Sequence, residues 1–227
     1  MADQPRVGRG IFVVFEGGDC SGKSTQVAWL AAALEQAGVP HVVTFEPGGT
    51  WLGQRLRALV LDPESGAISP RAEALLYVAD KAQHVREVVQ PGLDAGMVVV
   101  SDRYTDSVIA YQGAGRELRI DEVERLAIWA TGELRPDLTV LLDADPAQAV
   151  ATIERKDRLE GAGLRLHERA RAEFLRLAAR DPQRYLVLPA RHPRAELARA
   201  VRERLAGFGL ELSEPSAMLD ADDEERG

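Results

Sequence analysis

A glycine-rich stretch near the N-terminus constrains the fold more than any other feature of the chain. Residues 17–24 read Gly-Gly-Asp-Cys-Ser-Gly-Lys-Ser, and they follow a β-branched and aromatic run at 11–15. In the pattern G-x-x-x-x-G-K-[ST], backbone N–H groups surround phosphate oxygens, the lysine reaches the outer phosphates, and the last hydroxyl ligates Mg²⁺. Residues 24–37 are apolar at helical spacing, and the positive end of such a helix favours an anion. This strand–loop–helix context predicts a binding site for a nucleoside triphosphate.

The residues predicted to contact the triphosphate belong to this loop and to the first helical turn. They are Gly17, Gly18, Asp19, Cys20, Ser21, Gly22, Lys23, Ser24 and Thr25.

Predicted strands and helices alternate along the rest of the chain. Further strands are predicted at 41–45, 97–101, 138–143 and 185–188. Further helices are predicted at 53–61, 71–90, 120–131, 146–154, 166–180 and 194–208, and Pro91 is expected to end the second of these. Such alternation is typical of a parallel sheet covered on both faces. The sequence therefore predicts an α/β three-layer sandwich around a five-stranded parallel sheet.

Composition narrows the classes of function. The chain has 227 residues, a formal net charge of −8 and one cysteine, Cys20. The acidic balance argues against a general nucleic-acid surface, and no apolar stretch is long enough to cross a bilayer. We expect a cytoplasmic protein with a flexible N-terminus at 1–9, one domain at 10–210, and an acidic disordered tail at 211–227.

Three further segments, together with the loop, carry a family resemblance. They are Glu-Pro-Gly-Gly-Thr at 46–50, Asp-Arg-Tyr at 102–104 with Ala-Tyr-Gln-Gly at 110–113, and the basic stretch at 155–169. In this order and at these separations, the set closely resembles bacterial thymidylate kinases, which are P-loop nucleoside monophosphate kinases. The resemblance covers residues 10–210 and implies transfer of a phosphoryl group from ATP to dTMP, with Mg²⁺, by a homodimer.

The resemblance also implies a set of acceptor contacts. Arg103 and Arg57 match arginines that hold the acceptor phosphate, and Asp102 matches an aspartate that helps to hold the metal with Ser24. Tyr77 and Lys81 match positions that stack on and hydrogen-bond to the base. The full predicted substrate set is Asp19, Glu46, Pro47, Arg57, Tyr77, Lys81, Arg103, Ser107, Val108, Tyr111 and Gln112.

Structural alternatives to these roles remain open at the level of sequence. Asp102 and Arg103 could form a surface ion pair, and Asp19 could serve turn geometry, which aspartate favours. Arg57 could be an exposed residue on a helix face. Tyr77 could belong to the core.

A catalytic cation is also expected beside Lys23 and Arg103. Some family members carry a basic residue in the loop, where this chain has Cys20, and others supply it from a lid. The predicted lid at about 154–166 contains Arg155 and Arg158, and the resemblance assigns the role to one of them. A solvated charge run is the alternative for this segment.

Three positions depart from the usual family pattern. Phe45 stands where arginine is common, Lys81 replaces an arginine, and Val108 replaces a small hydroxyl residue. We hypothesise a base pocket with fewer hydrogen bonds and a wider tolerance, for instance of dUMP. The alternative functions are a P-loop kinase for another nucleoside monophosphate and a non-catalytic nucleotide-dependent switch.

Overall fold

A computed structural model describes residues 9–150 and 163–215 of the chain. In this part of the chain, five strands form one parallel sheet in the order β2-β3-β1-β4-β5. The strands are β1 (Ile11–Gly17), β2 (His41–Phe45), β3 (Val98–Asp102), β4 (Leu138–Asp143) and β5 (Tyr185–Pro189). The predicted five-stranded parallel sheet is therefore confirmed.

Helices connect the strands. They are α1 (Lys23–Gln36), α2 (Trp51–Leu61), α3 (Pro70–His84), α4 (Gln90–Asp94), α5 (Thr105–Val108), α6 (Ile120–Ala130), α7 (Pro146–Val150), α8 (Leu164–Arg180) and α9 (Arg194–Ala206). A short 3₁₀ turn (Pro63–Ser65) follows α2, and π-helical segments follow α3 (Val85–Val89) and α5 (Ile109–Gly115).

The two faces of the sheet are covered by different helices. Alternate residues of β1 point to opposite faces, as expected for a strand buried on both sides. Val13 and Phe15 pack with apolar residues of α1 and α9, whereas Phe12 and Val14 pack with the segment that follows α3. These two layers and the sheet between them are the predicted three-layer sandwich.

The strand register places two functional segments at one edge. Phe15 of β1 lies opposite Asp102 of β3, and Asp102 also lies opposite Phe45 of β2. The glycine-rich loop leaves β1, and the Asp-Arg-Tyr segment leaves β3 directly beside it. In open parallel sheets, ligands bind at the carboxyl ends of strands where the strand order reverses, which here is beside β1.

The prediction that Pro91 ends a helix is wrong. The helical path continues to Asp94, because a wider π turn precedes the proline, in which the N–H of Gln90 bonds to the carbonyl of Val85. Pro91 then lies in the first turn of α4, where a missing N–H costs little.

The C-terminal stretch also differs from its prediction. Residues 211–215, expected to begin the disordered tail, lie against the globular domain, and Gln36 of α1 hydrogen-bonds to Ser213 and Glu214. Leu212 packs against the apolar cluster beneath α1, since an apolar side chain gains by leaving water. The remaining predicted tail, residues 216–227, lies outside the described residues. Within the described ranges, no helix is long and apolar enough to cross a membrane.

Candidate active site

The glycine-rich loop turns sharply at positions that require glycine. Gly17 has φ 134°, and a Cβ there would lie 2.3 Å from the carbonyl oxygen of Leu142. Gly22, which precedes α1, has φ 88°. Both values lie in the region that disfavours side chains. Cys20 also adopts a left-handed conformation, with φ 55°, so this exposed thiol lies at a strained point of the loop.

Lys23 is buried beneath the loop. Its ammonium group donates hydrogen bonds to the carbonyl oxygens of Gly17 (3.2 Å) and Gly18 (2.6 Å). Burial and the nearby positive charge of Arg103 lower the pKa of Lys23 to about 8, although Asp102 and Asp19 oppose this shift. A lysine held in this way is positioned for the phosphates that the loop would surround.

The predicted metal pair is brought together. The Ser24 hydroxyl at the start of α1 donates to Oδ2 of Asp102 at the end of β3, with a distance of 2.8 Å. The sequence separates these residues by almost eighty positions, but the β1–β3 register makes them neighbours. Hard oxygen ligands of this kind suit Mg²⁺. Among the described residues, no cluster of three acidic, histidine or cysteine ligands is present.

Arg103 is the central cation of the site. Its guanidinium donates to the carbonyl oxygen of Gly17 (3.0 Å) and to the hydroxyl of Ser107 (3.2 Å), and it forms an ion pair with Asp19. Its carbon Cζ lies 5.5 Å from the ring centroid of Tyr111. These contacts hold the guanidinium beside the loop, so the surface-ion-pair alternative does not describe it.

Asp19 remains charged because of this neighbourhood. Burial alone would raise the pKa of Asp19, but Arg103, Lys23 and His167 together lower it below its ordinary value. The ring of His167 lies edge-on to Tyr111 and places Nδ1 3.9 Å from Asp19. His167 was not predicted, because it lies near the start of α8 and no local pattern indicates its contact with the loop.

Glu16 is a second residue of the site that was not predicted from the sequence. This fully buried carboxylate accepts hydrogen bonds from the backbone N–H groups of Tyr104 (2.8 Å) and Ser107 (3.1 Å) and from the Ser107 hydroxyl (2.7 Å). Burial and the carboxylate of Asp106 raise the pKa of Glu16 to about 7. A signal was present, since an acidic residue ends an otherwise apolar strand.

A buried ion-paired cluster lies at the other end of the site. Lys81 of α3 pairs with Glu46, whose other oxygen lies 2.7 Å from Nδ1 of His84. Nε2 of His84 lies 2.6 Å from the hydroxyl of Thr44. The ammonium group of Lys81 is therefore engaged by Glu46 at the wall of the cleft. His84 was not predicted, although it lies three residues after Lys81 on the same helix face.

One cleft collects nearly all of the predicted side chains. It has a volume of about 590 Å³ and runs from the loop to α3. Its walls include every residue of the predicted substrate set, and also Cys20, Lys23, Ser24, Phe45 and Asp102. Arg57 donates to the carbonyl oxygen of Pro47 at 2.9 Å. Tyr77 and Val108 are largely buried but reach the wall, so core packing and cleft lining are compatible.

The predicted lid is described in part. Arg155 and Arg158 lie outside the described residues. Residues 164–166, which were assigned to the lid, form the first turn of α8.

Gln112 reaches the cleft from the π-helical segment after α5, where its side-chain amide donates to Glu73 at 3.0 Å.

Comparison with known proteins shows a consistent likeness. The profile of the family described as thymidylate kinase matches residues 15–201. The thymidylate kinase of Cutibacterium acnes is 61% identical over 88% of this chain and 98% of its own length. That of Clavibacter michiganensis is 53% identical over 86% of this chain and 94% of its own. The crystal structure of thymidylate kinase from Ehrlichia chaffeensis superposes with a TM-score of 0.73 at 28% identity, covering 87% of this chain and 99% of that one.

Proposed function

Since the chain belongs to the thymidylate kinase family, we infer that it transfers the γ-phosphoryl group of ATP to dTMP, giving ADP and dTDP. The observation that carries this function is the single cleft that joins the phosphate loop, with Lys23, to the acceptor arginine Arg103. A kinase that transfers a phosphoryl group from one nucleotide to another must hold the phosphates of both nucleotides at once. This cleft contains cations for the phosphates of each. Neither alternative function named from the sequence has support in the comparisons.

We propose the following division of labour. Lys23 and the loop N–H groups hold the β- and γ-phosphates of ATP, and Arg103 and Arg57 hold the phosphate of dTMP. An oxygen of that phosphate bonds to the γ-phosphorus as the bond from the γ-phosphorus to its bridging oxygen breaks. Such a reaction depends on positioning and on neutralised charge more than on covalent participation by the protein. Asp19, which pairs with Arg103, is assigned the hydrogen bond from the sugar hydroxyl.

The 2.8 Å contact between Ser24 and Asp102 supports a magnesium site at this point. In such a site, Ser24 would ligate the ion directly and Asp102 would act through bound water. Mg²⁺ held by these two residues would neutralise negative charge on the phosphate groups.

The remaining positive charge is assigned to the lid. The loop position that is basic in some family members is Cys20 here, so we propose that Arg155 or Arg158 provides the cation that faces the transferred group. A basic side chain there would stabilise the transition state and exclude water. Alanine substitution of each should identify the residue by a loss in kcat.

We also propose a homodimer. The apolar stretch Val108 to Tyr111 is buried inside the protomer, so it is not the interface that we propose. The helix α3 packs between α2 and α6. Leu75 of α3 is 55% exposed and Trp129 of α6 is 78% exposed, so these two helices present apolar side chains to a second protomer. Light scattering should give twice the protomer mass, and Leu75→Glu should reduce it. Leu164→Glu, at an exposed position of α8, is the control. The cytoplasmic location stays a prediction for cell fractionation.

ADP release measured with different acceptors tests the function. We expect rapid turnover with dTMP and little ADP release without an acceptor. Parallel assays with dUMP, dCMP and dGMP test whether Phe45, Lys81 and Val108 make the base pocket tolerant. Strict selectivity for dTMP would reject that tolerance and keep the assigned reaction. Equal ADP release with and without every acceptor would reject the reaction itself.

A further inference from the structure

The backbone of Arg103 is held in a conformation that costs energy. Its φ is 73°, in the left-handed region that side chains other than glycine rarely adopt. The surrounding hydrogen bonds compensate for this cost. The N–H of Arg103 donates to the carbonyl oxygen of Phe15 at 2.8 Å, and its own carbonyl oxygen accepts from the Ser101 hydroxyl at 2.8 Å.

Glu16 supplies the next restraint along the chain. One oxygen of its carboxylate accepts from the N–H of Tyr104, the residue directly after Arg103, and from the N–H of Ser107. The other oxygen accepts from the Ser107 hydroxyl. Glu16 is 0% exposed, so these bonds are shielded from water and position the turn that carries Arg103.

The hydroxyl of Ser107 links this restraint to the guanidinium itself. It donates to Glu16 at 2.7 Å and accepts from Arg103 at 3.2 Å. One carboxylate therefore fixes the backbone beside Arg103 and orients a hydroxyl that receives its side chain. Glu16 does not line the cleft, whereas Arg103 and Ser107 do. Any effect on the acceptor would therefore pass through the residues that Glu16 holds, of which Arg103 carries the positive charge that pairs with a phosphate.

We propose that Glu16 is a positioning residue for dTMP binding, which holds the Arg103 turn in the geometry that receives the acceptor phosphate. This inference rests on the proposed role of Arg103. The groups that donate hydrogen bonds to Glu16 are neutral. Burial and the neighbouring carboxylate of Asp106 raise the pKa of Glu16. The Arg103 turn is therefore positioned by the hydrogen bonds that the carboxyl group accepts more than by its full charge. The amide oxygen of a glutamine side chain can accept hydrogen bonds from the same two backbone N–H groups.

Steady-state kinetics of two substitutions test the proposal. Glu16→Leu removes every acceptor at similar size, and Glu16→Gln keeps the amide oxygen. We expect Glu16→Leu to raise the KM for dTMP at least about tenfold, since each lost hydrogen bond is worth roughly a fewfold change. The KM for ATP should change less than about twofold. Glu16→Gln should restore most of the loss, and Glu173→Gln, a buried carboxylate of α8 away from the cleft, is the matched control.

A double-mutant cycle separates positioning from a general structural role. In an Arg103→Ala background, Glu16→Leu should have little further effect on the KM for dTMP, because the residue through which it acts is gone. Equal effects in both backgrounds, or equal changes in the two KM values, would overturn the proposal. If Glu16→Leu does not fold, Ser107→Ala carries the test, and an unchanged KM for dTMP would contradict it.

The same experiment distinguishes the two levels of inference. Arg103→Ala alone should reduce kcat/KM for dTMP about a hundredfold or more, since charge-assisted bonds to phosphate are strong. Arg119→Ala, an exposed arginine paired with Asp121, is the control. Unchanged kinetics of Arg103→Ala would reject the role of Arg103. A large effect of Arg103→Ala with no effect of Glu16→Leu would reject the inference about Glu16 alone.

Discussion

Two buried glutamates at the carboxyl ends of two parallel strands have pKa values shifted in opposite directions. Glu16 lies near the end of β1 and Glu46 directly follows β2, and the strand between them ends at Asp102. Both side chains are almost completely buried. However, the pKa of Glu16 is raised to about 7, whereas that of Glu46 lies below its ordinary value.

The difference follows from the partners. Glu16 accepts from backbone N–H groups and a hydroxyl, so burial and the nearby Asp106 dominate and favour the neutral acid. Burial alone would also raise the pKa of Glu46, but Lys81 and then His84 stabilise its charge. Burial disfavours the charged form of each carboxyl group, and nearby opposite charges determine whether that form is stabilised again. Glu16 therefore acts on geometry, and Glu46 balances a buried cation.

Removal of charge at each site should give the largest contrast. Glu46→Gln leaves the ammonium group of Lys81 buried without its counter-ion, and we expect a loss of about 3–5 kcal/mol in the free energy of unfolding. Glu16→Gln replaces a group that is partly neutral at pH 7, and we expect a change below about 1 kcal/mol. Urea denaturation of both variants at pH 7 measures this difference.

The double variant Glu46→Gln with Lys81→Met is the control for the first substitution. Replacement of a whole buried ion pair by groups of similar size is often nearly neutral, so most of the lost stability should return. If Glu46→Gln and Glu16→Gln lowered the free energy of unfolding equally, the different partners of the two glutamates would not explain their electrostatics.

The pH dependence of stability should have opposite signs at the two sites. The raised pKa of Glu16 means that folding favours its protonated form. Its contribution is complete below pH 4.5 and is lost as the pH rises through about 7. The lowered pKa of Glu46 means that its contribution is present above pH 4.5 and is lost as the pH falls through the folded-state value.

Glu16→Gln isolates the first of these slopes. Relative to the parent chain, this variant should gain at least about 1 kcal/mol of stability between pH 5 and pH 8, since one pKa unit corresponds to about 1.4 kcal/mol. Chemical denaturation at several pH values measures the difference, with Glu173→Gln as the baseline. A difference that is constant with pH would mean that Glu16 is ionised throughout.

Most of the fold could be predicted because its signals are local. The strands are short apolar runs, and their observed bounds lie within two residues of those predicted. Pro91 misled because a π turn depends on how the preceding helix packs, which the sequence of the turn does not reveal. The segment from Thr105 to Gly115 received no assignment for the same reason, since its helical path is held partly by Glu16.

The candidate site could be predicted where a motif names the residue, as with Lys23, Ser24 and Arg103. The supporting residues His84 and His167 could not be, because their roles arise from strands and helices that meet in space. Glu16 was marked by its charge in an apolar strand, but its hydrogen bonds to the Arg103 turn were not. Lys81 was predicted as a base contact, but its ion pair with Glu46 depends on α3 lying against the end of β2. No pattern in either segment indicates that approach.

Two hydroxyl groups offer the smallest and most specific comparison of the two sites. Ser107 bonds to Glu16, and Thr44 bonds to His84, the partner of Glu46. Ser107→Ala and Thr44→Val each remove one hydroxyl with little change in shape. Both should reduce the free energy of unfolding by about 1 kcal/mol, measured by urea denaturation.

Their kinetic effects should differ, because the hydroxyls connect to different parts of the cleft. Ser107 also accepts from the guanidinium of Arg103, so Ser107→Ala should raise the KM for dTMP severalfold, whereas Thr44→Val should change it less than about twofold. Steady-state rates at saturating ATP measure both. The two substitutions should reduce stability by similar amounts, and they differ in whether the lost hydroxyl bonds to Glu16 or to His84. A larger effect of Thr44→Val on the KM for dTMP would therefore mean that the Glu46 cluster, and not the Glu16 turn, governs binding of the acceptor.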